Sequence, residues 1–224
     1  LNDWQANIEF DFGKEVSVDY SDLINKLKGI ETIIFVGGLS GKLEGEEMPV
    51  NFPGFKGGDR TNIELPSVQR NCLKALKQAG KKIIFVNCSG SAIALTPEIE
   101  TSDAILQAWY PGESGGQAVA DVLFGDYNPS GKLPVTFYKN SDQLPDFENY
   151  SMKGRTYRFM EDALFPFGYG LSYTRFEIGQ AKLNKTEINE NESVELTIPV
   201  KNIGKRDGTE IVQVYIRKVN DTDG

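Results

Sequence analysis

Residues 32–66 read TIIFVGGLSGKLEGEEMPVNFPGFKGGDRTNIELP. The run Ile33-Ile34-Phe35-Val36 is continuously apolar, the pattern of a strand in a parallel sheet covered on both faces. It stops at Gly37-Gly38, and the next helix begins only at Pro66. Connections of this kind usually span about 2–6 residues. This one is far longer, rich in glycine, and carries Glu44, Glu46, Glu47, Asp59 and Arg60. Such a loop is expected to be functional or disordered, and we read it as functional, with Glu44 doing the chemistry.

Working outward, Ser67 to Ala79 is predicted to be a helix, with Val68, Cys72, Ala75, Leu76 and Ala79 on one stripe and Gly80 as the stop. Ile83 to Val86 is the next apolar strand, so strand, helix and strand form a βαβ unit. A third strand is expected from Ala104 to Trp109, a helix from about Gln117 to Phe124 with Ala118, Val119, Val122 and Leu123 inward, and a short strand from Leu133 to Tyr138. Upstream, Ser21 is a candidate cap for a helix through Leu23, Ile24 and Leu27, and residues 8–10 and 16–18 are extended patches. Ligands of α/β sheets gather beyond the carboxyl ends of the strands. The loops after Gly37, Asn87 and Tyr110 are therefore expected to share one rim.

From Asp142 to Thr174 aromatic residues dominate, and a wrapping segment is expected. Alternation returns at 193–200 and 210–216, around the turn cluster 202–208. The expected fold class is α/β: a mostly parallel sheet sandwiched by helices in flavodoxin-like layers over 1–175, followed by a truncated β-sandwich over 176–224.

Composition narrows the chemistry. The net charge of −8 argues against nucleic acid, whose binding is driven by phosphate neutralisation. No apolar run approaches the roughly 18 residues of a membrane span. The chain has no histidine, which removes Ser-His-Asp and Cys-His catalysis and His-ligated metals. Proton transfer then falls to carboxylates, Tyr, Lys or Cys. Cys72 and Cys88 are expected to be free core thiols, and neither a metal nor a cofactor is called for. The chain starts at Leu1 without Met and reads as a piece of something longer.

Three groups of residues are candidates for function. Glu44-Gly45-Glu46-Glu47 is either a solvated acidic loop or a place where a carboxyl group is held for general acid work beside like charge. Asp59-Arg60 is either an ion pair fixing the loop or a ligand contact. Trp109-Tyr110 offers rings for packing or for stacking on a sugar. Gly37-Gly38 and Gly115-Gly116 do not fit the glycine spacing of a dinucleotide site, so a nucleotide-binding domain is a weak reading.

The stretches VGGLSGKLEGEEM, GFKGGDRTNIELP, AWYPGESGGQAVADVLFGDYNPSGKLPVTF, YSMKGRTYRF and FPFGYGLSYTRF together resemble the C-terminal part of glycoside hydrolase family 3, the β-glucosidase and β-xylosidase group, from about Ile30 to Lys218. The resemblance implies an α/β sandwich domain and the start of a fibronectin type III-like domain. It implies an N-terminal (β/α)8 barrel bearing an aspartate nucleophile, which no stretch here matches. It also implies a retaining, exo-acting mechanism on β-glucoside or β-xyloside oligosaccharides, and a secreted or periplasmic location. The acid/base glutamate maps to Glu44, with Glu46 as second choice and Glu47 as third. Asp59, Arg60, Trp109 and Tyr110 then shape the substrate rim or hold the barrel. The competing class is a carbohydrate-binding or scaffold module without chemistry.

Overall fold

The computed structural model describes residues 18–41, 43–44 and 51–219. The elements in chain order are α1 (Ser21–Lys26), β1 (Thr32–Gly38), β2 (Asn51–Phe52), β3 (Phe55–Lys56), β4 (Asp59–Arg60), α2 (Ser67–Gln78), β5 (Lys82–Cys88), α3 (Thr96–Thr101), β6 (Ala104–Gln107), α4 (Gly115–Phe124), α5 (Thr156–Phe159), β7 (Phe176–Ile178), β8 (Lys182–Leu183), β9 (Leu196–Thr197) and β10 (Val200–Asn202). They fall into two compact units. The first takes residues up to 115 together with 135–166, and the second takes 116–134 and 167 onward.

The first unit is built on a parallel sheet in the order β1-β5-β6, with Phe35 beside Phe85 and Phe85 beside Ile105. Both apolar runs became strands, and each is longer than predicted because backbone pairing continues through Gly37-Gly38 and Asn87-Cys88. Strand β5 is central, and its Ile83, Phe85 and Val86 are buried. Helix α2 covers the face that carries Ile33, Phe35, Ile83 and Phe85, and it buries Leu73 and Leu76. Leu73 was missing from the predicted stripe, and Ala79 is exposed at the helix end. Gly80, at φ +76°, ends the helix in a left-handed turn: its N–H donates to Lys77 O, and Lys81 N–H donates to Leu76 O. On the opposite face, Ile34 and Val36 are exposed, so the described residues do not provide the second cover that the apolar run predicts.

Three expectations need correction. Ser21 does not cap α1. It is the first helical residue, and its N–H and hydroxyl both donate to Asp19. The predicted strand over 133–138 is reduced to a single bridge, Phe137 to Phe165, because Pro134 cannot donate to a ladder. Ala118 is exposed in α4, while Val119, Val122 and Leu123 are half-buried. The extended patch at 8–10 lies outside the described residues, as does most of 16–18. The wrapping segment buries Phe137 against Trp109 and Phe165, yet leaves Phe147 92% and Tyr150 87% exposed.

The segment between β4 and α2 is anchored from a distance. Glu64 accepts from Ser141 N–H at 2.9 Å and from its hydroxyl at 2.6 Å, and Ser141 Oγ accepts from Ile63 N–H. Burial raises the Glu64 carboxyl, but the Ser141 bonds and Arg70 outweigh it, so it sits below the usual carboxylate range. A depressed folded-state pKa gives stability that is present above the unfolded value and lost as pH falls through the folded one. Glu64→Gln is therefore expected to melt lower than the parent at neutral pH, with the gap closing as pH drops through the carboxylate range. Thermal melts of both proteins between neutral and acid pH check this, and a gap that stays constant refutes it.

In the second unit, β7 pairs antiparallel with β10, and β8 with β9. The strand expected over 210–216 is not formed, because alternation makes a strand only where a neighbour completes the ladder. Two of the quoted motifs are stitched together here. Asn128 accepts from the Ser172 hydroxyl and Tyr173 N–H and donates to Asp207 O. Lys132 donates to Gly170 O at 2.9 Å and pairs with Glu210 at 2.8 Å. A Cβ on Gly170 would lie 2.2 Å from Gly131 O, which explains a glycine in that motif.

Candidate functional site

The site grows from the carboxyl ends of β1, β5 and β6. Gly38, at φ +121°, lies so close to Cys88 that an added Cβ would sit 1.9 Å from its carbonyl oxygen. Only glycine lets the two strand ends leave together. Gln69 of α2 holds that end, accepting from Gly38 N–H and donating to Gly38 O, both at 2.7 Å. Beyond it, Leu39 is buried and donates its N–H to Cys88 O. Leu43 and Glu44 then wrap one turn, both donating to Ser40 O. That turn lifts Glu44 over the sheet rim.

The Glu44 side chain is only 17% exposed. Its Oε2 accepts from the Tyr110 hydroxyl at 2.5 Å, and its Oε1 accepts from the Ser91 hydroxyl at 2.8 Å. Arg60 Nη1 stands 3.9 Å from Oε1 and donates to Ser91 Oγ at 2.8 Å. Arg60 also donates to Asn62 O and Ala92 O. Burial pulls the Arg60 guanidinium below its ordinary value, with Glu44, Glu64 and Tyr110 acting against that. Burial, then the hydrogen bond and charge of Glu44, push the Tyr110 phenol up to about 12. Tyr110 therefore stays a hydrogen-bond donor throughout the neutral range.

Beneath this cluster lies a buried polar network. Asn87 Nδ2 donates to Gln107 Oε1 at 2.6 Å and to Ser89 Oγ at 3.2 Å, Gln107 Nε2 also donates to Ser89 Oγ, and the Ser89 hydroxyl donates to Ser91 O at 2.9 Å. Asn87 and Ser89 are wholly buried, so these bonds are made away from water, where leaving them unmade is costly.

The rim expected after Gly37, Asn87 and Tyr110 is thus formed, and it brings Glu44, Arg60 and Tyr110 together. The expected ion pair between Asp59 and Arg60 is replaced by one between Arg60 and Glu44. Asp59 sits exposed in the small antiparallel sheet β2-β3-β4, which the loop forms around buried Phe55. Trp109 turns away to pack edge-on against Phe137 at 6.0 Å. Glu46 and Glu47 lie outside the described residues. Ser91 was missed by the sequence reading, although its place at the end of β5 was a signal for it. Both cysteines are free thiols, and burial raises Cys72 to about 11. No helix among the described residues is long and apolar enough to cross a membrane.

Comparison with known proteins adds independent findings. Residues 11–173 match the family described as the glycosyl hydrolase family 3 C-terminal domain. The chain is 63% identical, over 99% of its length, to a xylan 1,4-β-xylosidase of Xylanibacter ruminicola, and 41% identical, over 71% of its length, to a periplasmic β-glucosidase of Salmonella typhimurium. It spans 25% and 23% of those relatives. A solved β-glucosidase from Erythrobacter marinus matches 84% of this chain at 34% identity with a TM-score of 0.68, the match spanning 25% of that protein.

Proposed function

The chain belongs to glycoside hydrolase family 3, as that family's C-terminal domain, and on that premise we propose that it is the acid/base half of a retaining, exo-acting β-glycosidase. Glu44 is the general acid and base; Glu46 and Glu47 are the second and third choices. The nucleophile is an aspartate on a (β/α)8 barrel elsewhere in the longer protein. The relatives' names favour β-xyloside or β-glucoside oligosaccharides as substrates, and the identity to the xylosidase favours xylosides. Residues 1–175 form the α/β sandwich domain, and 176–224 open a fibronectin type III-like domain. The periplasmic relative supports a secreted or periplasmic protein.

The observation that carries this reading is a carboxylate held by two hydroxyl donors at the rim where α/β sheets bind ligands. In the first step Glu44 gives its proton to the glycosidic oxygen as the bond to the anomeric carbon breaks, and the barrel aspartate takes that carbon as an ester. In the second, Glu44 removes a proton from water as the water oxygen attacks the same carbon and the aspartate leaves. Retention requires the two carboxyl groups about 5–5.5 Å apart. Arg60 and Tyr110 line the rim, exposed Asp59 faces the barrel, and Trp109 packs behind Tyr110 on Phe137.

The test follows the anomer released first. The full-length enzyme is expected to release the β-sugar first, seen by proton NMR during hydrolysis of an aryl β-xyloside. The chain alone is expected to show no turnover above background. Initial release of the α-anomer, or turnover by the isolated chain, overturns the division of labour. Calorimetric titration of the chain with xylo-oligosaccharides separates it from a pure binding module, which would bind them unaided.

A further inference from the structure

We propose that Tyr110 and Ser91 are positioning residues that fix the rotamer of Glu44, and that Gly90 is the gap that lets them do so. The inference rests on the reading of Glu44 as the acid/base.

Each oxygen of the Glu44 carboxylate is engaged by a different hydroxyl: Oε2 by Tyr110 and Oε1 by Ser91. Two donors on opposite oxygens oppose rotation about the last side-chain bond, which a single contact leaves free. Each oxygen has a second lone pair on which a transferable proton can sit. The carboxyl group is therefore aimed without being used up.

The parts that aim it are themselves constrained. Tyr110 follows Trp109, whose backbone lies at φ +57°. That left-handed conformation is rare and strained for a bulky residue. It turns the chain sharply at the end of β6, with the Trp109 ring against Phe137 and the Tyr110 hydroxyl on Glu44. Strain of this kind persists only where the surroundings enforce it. Here the buried Asn87–Gln107–Ser89 network and the packed Trp109 do so. Ser91 is held from two sides, by Arg60 on its hydroxyl and by Ser89 on its carbonyl.

Gly90 completes the arrangement. A Cβ there would stand 2.6 Å from the Tyr110 ring and 3.2 Å from Glu44 Oε2. Its backbone is not in the left-handed region, so the space it leaves, not its conformation, is what the site needs. Gly90→Ala would displace the half-exposed phenol while leaving the sheet in place.

The test uses the full-length enzyme and compares Tyr110→Phe, Ser91→Ala and Gly90→Ala with Glu44→Gln. Small misplacements of reacting groups can cost about 100-fold. Tyr110→Phe is expected to lower kcat about 10–100-fold on unactivated xylosides, with KM changed less than about twofold. Gly90→Ala should lose a similar factor. The double variant should lose little more than the worse single one, because both break the same bond. Among the described residues, the charged and titratable groups facing Glu44 are Arg60 and Tyr110. A purely structural role would lower the melting temperature and would not lower kcat alone at a nearly unchanged KM. If Glu44→Gln disables the enzyme while Tyr110→Phe leaves kcat unchanged, the inference fails and the acid/base reading stands. If Glu44→Gln keeps full activity on unactivated xylosides, the acid/base reading itself fails.

Discussion

Glu44→Ala in the full-length enzyme is expected to slow hydrolysis of unactivated β-xylosides by about 10²–10⁴-fold, the range typical for loss of a general acid or base. The loss should not be uniform across substrates. A sugar leaving as an alkoxide needs a proton as the bond breaks. A nitrophenolate is stable without one, so aryl xylosides should form the glycosyl-enzyme at nearly the parent rate. Their second step still lacks a base to activate water, so the intermediate should accumulate and show as a burst. Azide offers a further readout. It is a nucleophile that needs no deprotonation and fits the volume vacated by the carboxylate. It should attack the anomeric carbon, release the aspartate, and give a β-glycosyl azide at a raised rate. The two hydroxyls left without their carboxylate cost little stability, because Tyr110 is 47% exposed and can turn to water. Equal losses on alkyl and aryl substrates, with no azide product, would remove Glu44 from the acid/base role.

Parts of this arrangement could be read from the residues alone, and the limits have physical causes. The apolar runs at 33–36 and 83–86 and the period of α2 are strong signals because β5 is buried on both faces while β1 and α2 each turn one face inward. The rim followed from parallel topology, since parallel strands put their carboxyl ends side by side. Helix α3 was missed: six residues hold too few turns to show a period, and its buried member is Glu98 rather than an aliphatic residue. The sheet β2-β3-β4 was hidden because its strands are two residues long, with Gly54, Gly57 and Gly58 making the turns at positive φ. At the site, Glu44 stood out by its charge cluster. The donors that aim it did not, because Ser91 and Tyr110 lie 47 and 66 residues further along the chain. Only folding brings them together.

The second large effect is on stability, at Arg70 and Glu98. Glu98 lies wholly buried where α3 meets α2, and Arg70 reaches it side-on, Nε to Oε1 at 2.7 Å and Nη2 to Oε2 at 3.1 Å. Nη2 also donates to Ala94 O at 3.1 Å, so the guanidinium ties both the helix and the turn before it to α2. Arg70→Ala should destabilise by about 3–5 kcal/mol, because it strands a carboxylate away from water. For a domain of this size that is a fall in melting temperature on the order of 10 °C. The expected loss comes from the uncompensated charge rather than from an unusually strong pair. Replacing both partners with apolar residues, Arg70→Met with Glu98→Leu, should therefore recover most of it, since buried ion pairs often do no better than well-packed hydrophobic substitutes. A double variant no more stable than Arg70→Ala alone would mean that the ion pair contributes net stability at the α2–α3 contact that apolar packing does not replace. A single Arg70→Ala variant within about 1 kcal/mol of the parent would mean that water reaches Glu98 and that the pair behaves as a surface one.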